Sequence, residues 1–301
     1  MNELQKKVID LKNEKGALIL AHYYQTIDIQ EVADHVCDSF EMARRARDAQ
    51  EGLLIICGVR FMAESAKILN PGKTVLLPSP DAGCPMADMV TPEAVLELRR
   101  RHPGAAVVCY VNSSASVKAV SDVCCTSSSA VKIVRSLPGK SVIFIPDKNL
   151  GSYVASLIPE KDVILYDGYC PAHNNITEAD VTAARAAHPG ARLLMHPECR
   201  PEALRHADYI GSTAGIIEDA LATDAESFII GTESGVTERL ELLAPGKTFH
   251  PLVSAFICPD MKKTTLADVL ESLERGRHEI YLSDEEISAA GACLERMVAI
   301  G

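Results

Sequence analysis

Short apolar runs recur along the chain, each closed by a polar residue, a glycine or a proline: "ALILAH" (17–22), "LLIICG" (53–58), "TVLLPS" (74–79), "AVVCYVN" (106–112), "SVIFIP" (141–146), "DVILYD" (162–167), "RLLMHPE" (192–198), "SFIIGT" (227–232) and "TFHPLV" (248–253). Runs this short and this rich in Val, Ile and Leu predict strands buried on both faces. Between them lie stretches whose apolar positions return at helical spacing, such as "FMAESAKIL" (61–69) and "NLGSYVASLI" (149–158). Strands alternating with helices predict parallel sheets, where function gathers at the carboxyl ends of strands and the amino ends of helices.

The pattern also repeats at long range. "CPMADMVT" (84–91) returns as "CPAHNNIT" (170–177) and "CPDMKKTT" (258–265), so that Cys84, Cys170 and Cys258 stand 86 and then 88 residues apart. Each phrase runs on into "TPEAV", "TEADV" or "TLADV", a threonine N-cap followed by acids that favour the start of a helix. "HPGAAVVCYVN" and "HPGARLLMHPE" are 86 residues apart, and "LKNEKGALILAHYY" places Gly16 and His22 each 88 before Gly104 and Tyr110. First strands therefore end in polar residues at His22, Tyr110 and His196. Further on, Ser39, Ser127 and Ser212 recur at offsets of 88 and 85, each at an expected helix start. This periodicity predicts an α/β protein of three similar small domains of about 85–90 residues, with parallel sheets arranged around a pseudo-threefold axis. Their expected spans are 1–87, 88–173 and 174–301, the last with C-terminal closing helices. "PGKT" (71 and 245) and "PGKS" (138) lack the upstream glycine of a phosphate loop and precede strands, so they read as turns.

Composition narrows the function classes. The 301 residues are 47% hydrophobic, enough for packed cores, and carry a formal charge of −11 with no offsetting basic stretch. That charge disfavours nucleic acid or an anionic membrane as partner. No apolar run approaches the roughly 18–20 residues of a membrane helix, and the N-terminus lacks a secretory core, so a cytoplasmic protein is expected. Ten cysteines in that setting point to metal binding or reactivity rather than disulfides. There is no CxxC pair and no HExxH, so any metal ligands come from distant parts of the chain.

Only Cys84, Cys170 and Cys258 precede a proline. Related domains around one axis would aim these three thiols at one point. Three thiolates suit a 4Fe-4S cluster with one open iron, or a zinc with an open position, and the all-thiolate set favours the cluster. An open iron is a Lewis acid able to take a carboxylate or hydroxyl. Cys37, Cys57, Cys109 and Cys293 lie in apolar contexts and read as core residues, whereas Cys124, Cys125 and Cys199 could belong to either class. His22, Tyr110 and His196 at strand ends, with Ser39, Ser127, Ser212 and Thr213 at helix starts, would face the same centre; a lone serine or threonine there would read simply as a cap. Glu198, beside His196 in "HPE", is a candidate acid/base.

Through "AHYYQ", "DSFEMARRA", "GVRFMAESAKILNPGK", "YVNSS", "CTSSSAV", "PDKNL", "HPEC", "GSTAGII", "GTESG" and "CPDMKKTTL", the chain resembles the quinolinate synthases over nearly its whole length. The resemblance implies condensation of iminoaspartate with dihydroxyacetone phosphate to give quinolinate, phosphate and two waters. It implies a 4Fe-4S cluster on Cys84, Cys170 and Cys258 with one open iron acting in dehydration. It further implies that His22 and Tyr24 assist carbonyl isomerisation, that Tyr110 and Asn112 hold substrate oxygens, and that Ser39, Ser127, Ser212 and Thr213 bind phosphate and carboxylates. His196 and Glu198 would transfer protons, and His173 would line the cavity. Transient contact with an L-aspartate oxidase or dehydrogenase supplying iminoaspartate fits the same picture. The alternatives are another enzyme with one cluster cysteine per domain, such as a diphthamide-type radical enzyme or a diphosphate reductase, and a non-catalytic iron-sulfur sensor.

Overall fold

The structure, a computed structural model, describes residues 1–301. Twelve strands form three sheets of identical topology, every neighbouring pair parallel. The first sheet contains β1 (Ala17–His22), β2 (His35–Cys37), β3 (Leu53–Cys57) and β4 (Thr74–Leu76). The second contains β5 (Ala106–Tyr110), β6 (Val123–Cys125), β7 (Ser141–Ile145) and β8 (Asp162–Leu165). The third contains β9 (Arg192–Met195), β10 (Tyr209–Ile210), β11 (Ser227–Gly231) and β12 (Thr248–Pro251). Their orders are β2-β1-β3-β4, β6-β5-β7-β8 and β10-β9-β11-β12. The expected α/β architecture is therefore present three times over.

Local chemistry explains why each unit closes in the same way. Thr91, Thr177 and Thr265 all cap helices, accepting from the amides of Ala94, Asp180 and Asp268. Gly16, Gly104 and Gly190, just before the first strand of each unit, have φ of 58°, 85° and 84°, a left-handed turn that a side chain resists. An aspartate that the sequence reading passed over is equally periodic. Asp34, Asp122 and Asp208 each accept from a first-strand amide, of Ile19, Val107 and Leu193, at 2.7–2.8 Å, and so fix where the second strand begins.

The central strands are almost wholly buried, as parallel strands covered on both faces must be. One large core of 57 residues draws on all three units, and two cores of 12 residues lie on the outer faces of the first and third sheets. The third CP phrase has no fourth sheet to enter. Its helix Leu266–Arg275 instead lies beside the N-terminal helix Glu3–Lys15, placing Leu266, Val269 and Leu273 in the first unit's outer core. The last helix, Asp284–Ile300, packs on Arg60–Leu69, Ala115–Ala119 and β6. The end of the chain thus clasps the first two units, and no helix is long and apolar enough to cross a membrane.

Candidate active site

The CP phrase is explained by how it turns. In each unit the first amide of the helix after the third strand donates to the carbonyl two residues before the cysteine: Arg60 to Ala82, Lys148 to Gly168 and Ser234 to Phe256, all at 2.8 Å. This threefold main-chain latch brings the three loops to one place. Proline then starts a helical turn, where its missing N–H costs nothing, and the turn faces later amides back at the sulfur. The amides of Ala87, His173 and Met261, each three residues after its cysteine, favour the thiolates of Cys84, Cys170 and Cys258.

Cys84, Cys170 and Cys258 line a single cavity and are the partly exposed cysteines of the chain; the other seven are buried. Burial pushes the Cys84 thiol up to about 12, Cys170 well above its ordinary value and Cys258 upward. Cys84 also raises Cys170 and is itself raised by Cys258, so the three thiols are electrostatic neighbours. Thiolates here require a positive partner, and inward-facing amides of this kind stabilise thiolate-bound clusters. The donor set therefore fits an iron-sulfur cluster. Cys170, His173 and Glu198 also place ligand atoms within 4.8 Å of one another, which could serve a single ion but would leave Cys84 and Cys258 unused. Cys124, Cys125 and Cys199 do not reach the cavity. All three are fully buried, with Cys124 Sγ 3.1 Å from Cys293 Sγ and Cys199 Sγ turned toward the Gly231 carbonyl.

His22, Tyr24, Ser39, Tyr110, Asn112, Ser127, His173, His196, Glu198 and Thr213 all line the same cavity. Ser212 does not. Its hydroxyl accepts from the Gly215 amide and caps helix Thr213–Ala222, so it borders a neighbouring outer cleft while Thr213 turns inward. The serines also differ in placement: Ser39 is the first residue of helix Ser39–Asp48, capped by Asp38, whereas Ser127 lies in the turn before Ala130–Ser136. Asn112 Oδ1 is buried without a hydrogen-bond partner, an acceptor left for a ligand to satisfy.

A directed chain of hydrogen bonds crosses the cavity. Thr213 Oγ1 donates to Tyr24 Oη at 3.2 Å, and Tyr24 is 2.8 Å from Thr232 Oγ1, which is 3.0 Å from His173 Nε2. His173 Nδ1 lies 2.9 Å from Glu198 Oε2, and Tyr110 Oη donates to Glu198 Oε1 at 2.7 Å. In the tautomer with His173 Nδ1 donating to the carboxylate and Nε2 accepting from Thr232, every donor points toward Glu198. Burial alone would raise the Glu198 carboxyl. The histidines His196 and His173, with hydrogen bonds from His173 and Tyr110, outweigh it and hold the group below the usual carboxylate range. Burial raises both tyrosines well above the usual phenol range. Burial lowers His22 to about 3 and His196 to about 4, leaving both neutral at physiological pH. Each accepts at Nδ1 from an amide two residues on, Tyr24 and Glu198 respectively, so its proton sits on Nε2. That proton of His196 is directed at Ser127 Oγ, 3.2 Å away.

Thr232 was not singled out from the sequence. It follows the apolar run "SFIIG" and has no hydroxyl at the equivalent positions Gly58 and Pro146, so periodicity hides it. The site can therefore hold a metal cluster on its cysteines, seat anionic groups against hydroxyls and helix starts, and move protons along a buried chain that ends beside Cys170.

Residues 6–299 match the family described as "Quinolinate synthetase A protein". The quinolinate synthases of Caldicellulosiruptor bescii and Methanoregula boonei are each 50% identical to this chain, over 298 and 297 residues, covering 99% of it and 98% of their own lengths. That of Thermodesulfovibrio yellowstonii is 45% identical over 300 residues, covering 100% of this chain and 99% of its own length.

Proposed function

The chain belongs to the quinolinate synthetase A protein family, and on that premise we propose that it condenses iminoaspartate with dihydroxyacetone phosphate, releasing phosphate and two waters to form quinolinate. The observation that carries this reading is that three cysteine loops line one cavity and that the hydrogen-bonded chain Thr213–Tyr24–Thr232–His173–Glu198 ends beside one of them, with His173 and Glu198 within 4.8 Å of the Cys170 sulfur. Cys84, Cys170 and Cys258 would hold a 4Fe-4S cluster, and when bound it supplies a Lewis acid through an iron free of cysteine.

The chain's own residues account for the rest. Ser39, Ser127 and Thr213, beside the helix starts, seat phosphate and carboxylates. Asn112 accepts a hydrogen bond from a substrate group, and Tyr110 orients a substrate oxygen while held by Glu198. Neutral His22 and His196, each with Nδ1 engaged by a backbone amide and its proton on Nε2, are placed to donate a hydrogen bond to a substrate oxygen, as polarisation of a triose carbonyl for enolisation requires. Burial raises the Tyr24 phenol while the surroundings of Glu198 hold its carboxyl low, so the Tyr24 proton does not come to rest on Glu198. Glu198 instead keeps the His173 proton on Nδ1, so that His173 Nε2 and Thr232 can receive and return the Tyr24 proton.

Replacing Thr232 by valine removes the hydroxyl while keeping its branched shape. Turnover should fall about 100-fold with iron content unchanged, and Thr232→Ser should restore most of it; equal rates in all three proteins would remove Thr232 from the relay. The function itself is tested by incubating the anaerobic, iron-loaded protein with dihydroxyacetone phosphate and iminoaspartate generated from oxaloacetate and ammonia. Quinolinate and phosphate should appear in equal amounts. A fully loaded protein that makes neither, or that instead consumes S-adenosylmethionine or an isoprenoid diphosphate, would refute the reading.

A further inference from the structure

The helices that follow the third strand of each unit, Arg60–Leu69, Lys148–Leu157 and Ser234–Leu243, begin after the equivalent N-cap residues Val59, Asp147 and Glu233. Asp147 and Glu233 are 0% exposed, and a buried carboxylate is tolerated only where its oxygens are paired. Both divide their oxygens in the same manner. Asp147 Oδ1 accepts from the amides of Asn149 and Leu150 at 2.8 Å each, an ordinary helix cap, while Oδ2 accepts from the amide of Cys170 at 3.2 Å. Glu233 Oε2 accepts from the Gly235 amide at 2.7 Å, while Oε1 accepts from the amide of Cys258 at 3.4 Å and pairs with Lys262 Nζ at 3.1 Å.

Capping alone does not call for this. A single hydroxyl suffices at Thr91, Thr177 and Thr265. The second oxygen goes in both cases to a cavity cysteine 23 or 25 residues further along the chain. The first unit departs from the pattern: Val59 makes no cap bond and lines the cavity.

We propose that Asp147 and Glu233 are positioning residues for the metal centre, each tying the amide of its cysteine, Cys170 or Cys258, to the rigid start of a helix, whereas no carboxylate meets the Cys84 amide. Resting on the iron-sulfur reading of the three cysteines, this predicts a cost in cluster retention distinct from any cost in folding. Groups one shell out from a metal typically affect its retention by about 10–100-fold.

The test uses the anaerobic, cluster-loaded protein and its variants Asp147→Asn, Asp147→Ser and Glu233→Gln. Asparagine and serine are both good N-caps, yet neither can accept from the cap amides and the cysteine amide together. Iron release to a chelator is expected to accelerate by about 10-fold or more, and the electron paramagnetic resonance spectrum of the reduced cluster to change shape. Thr177→Ala, which removes a cap away from the cavity, should leave both unchanged, and this separates positioning from helix stability. Wild-type release rates and an unaltered spectrum in all three variants would overturn the inference while leaving the cluster reading intact. A wild-type protein that takes up no iron or sulfide would overturn that underlying reading instead.

Discussion

Cys84→Ala is expected to lose the brown iron-sulfur chromophore and quinolinate formation together, while the chain stays folded. Two remaining thiolates from separate loops cannot replace the third, because no other cysteine lines the cavity. The change removes one sulfur from a partly exposed side chain, a cost to stability of about 1 kcal/mol that a folded domain tolerates. Cys125→Ala serves as the comparison. Cys125 is fully buried in the core, so its loss should lower stability yet leave iron and turnover in place. An active, colourless Cys84→Ala protein would show that the three cysteines do not act as a set.

Glu198→Gln should show the opposite combination, an intact chromophore with turnover reduced about 10²–10⁴-fold. The glutamate takes one hydrogen bond on each carboxylate oxygen, from Tyr110 and from His173. An amide offers one acceptor and one donor in the same space, so one of those bonds must be lost. If the amide oxygen keeps His173, the Tyr110 hydroxyl must turn away; if it keeps Tyr110, the His173 proton shifts and Nε2 no longer accepts from Thr232. The second outcome breaks the chain that reaches Tyr24, and the first frees Tyr110 from the group that orients it. Glu198 also raises the proton affinity of His22 and His196 against their burial, so the neutral amide should change the pH dependence of turnover as well as its rate. Full activity in Glu198→Gln would reduce the carboxylate to a structural group.

Much of this was legible before the coordinates because it follows from periodicity. Three threonine caps, three left-handed glycines and three apolar runs per sheet are local signals that repeat, and repetition separates them from chance. The endings of β1 and β5 at His22 and Tyr110 follow directly from where apolar residues stop, and His196 lies one residue beyond β9. What stayed hidden depends on neighbours far away in sequence. Thr232 matters because its hydroxyl meets Tyr24, 208 residues earlier. Ser212 and Thr213 both carry a hydroxyl at a helix start, and only the direction of the first turn decides that Ser212 is spent on its own backbone while Thr213 faces the cavity. The helix Asp284–Ile300 belongs to no repeat, so periodicity could not show that it returns to β6 and the helices of the first two units. Asp147 and Glu233 read as ordinary caps until their second oxygens are traced to Cys170 and Cys258.

The central claim is that Cys84, Cys170 and Cys258 share one cluster. Its most direct test is to count iron, acid-labile sulfide and zinc per chain after anaerobic reconstitution of the wild type and of the three single cysteine-to-alanine variants. The account predicts about four irons and four sulfides in the wild type, and loss of both in every variant. A zinc-loaded wild type free of sulfide, or a variant that keeps its full complement of iron, would contradict it.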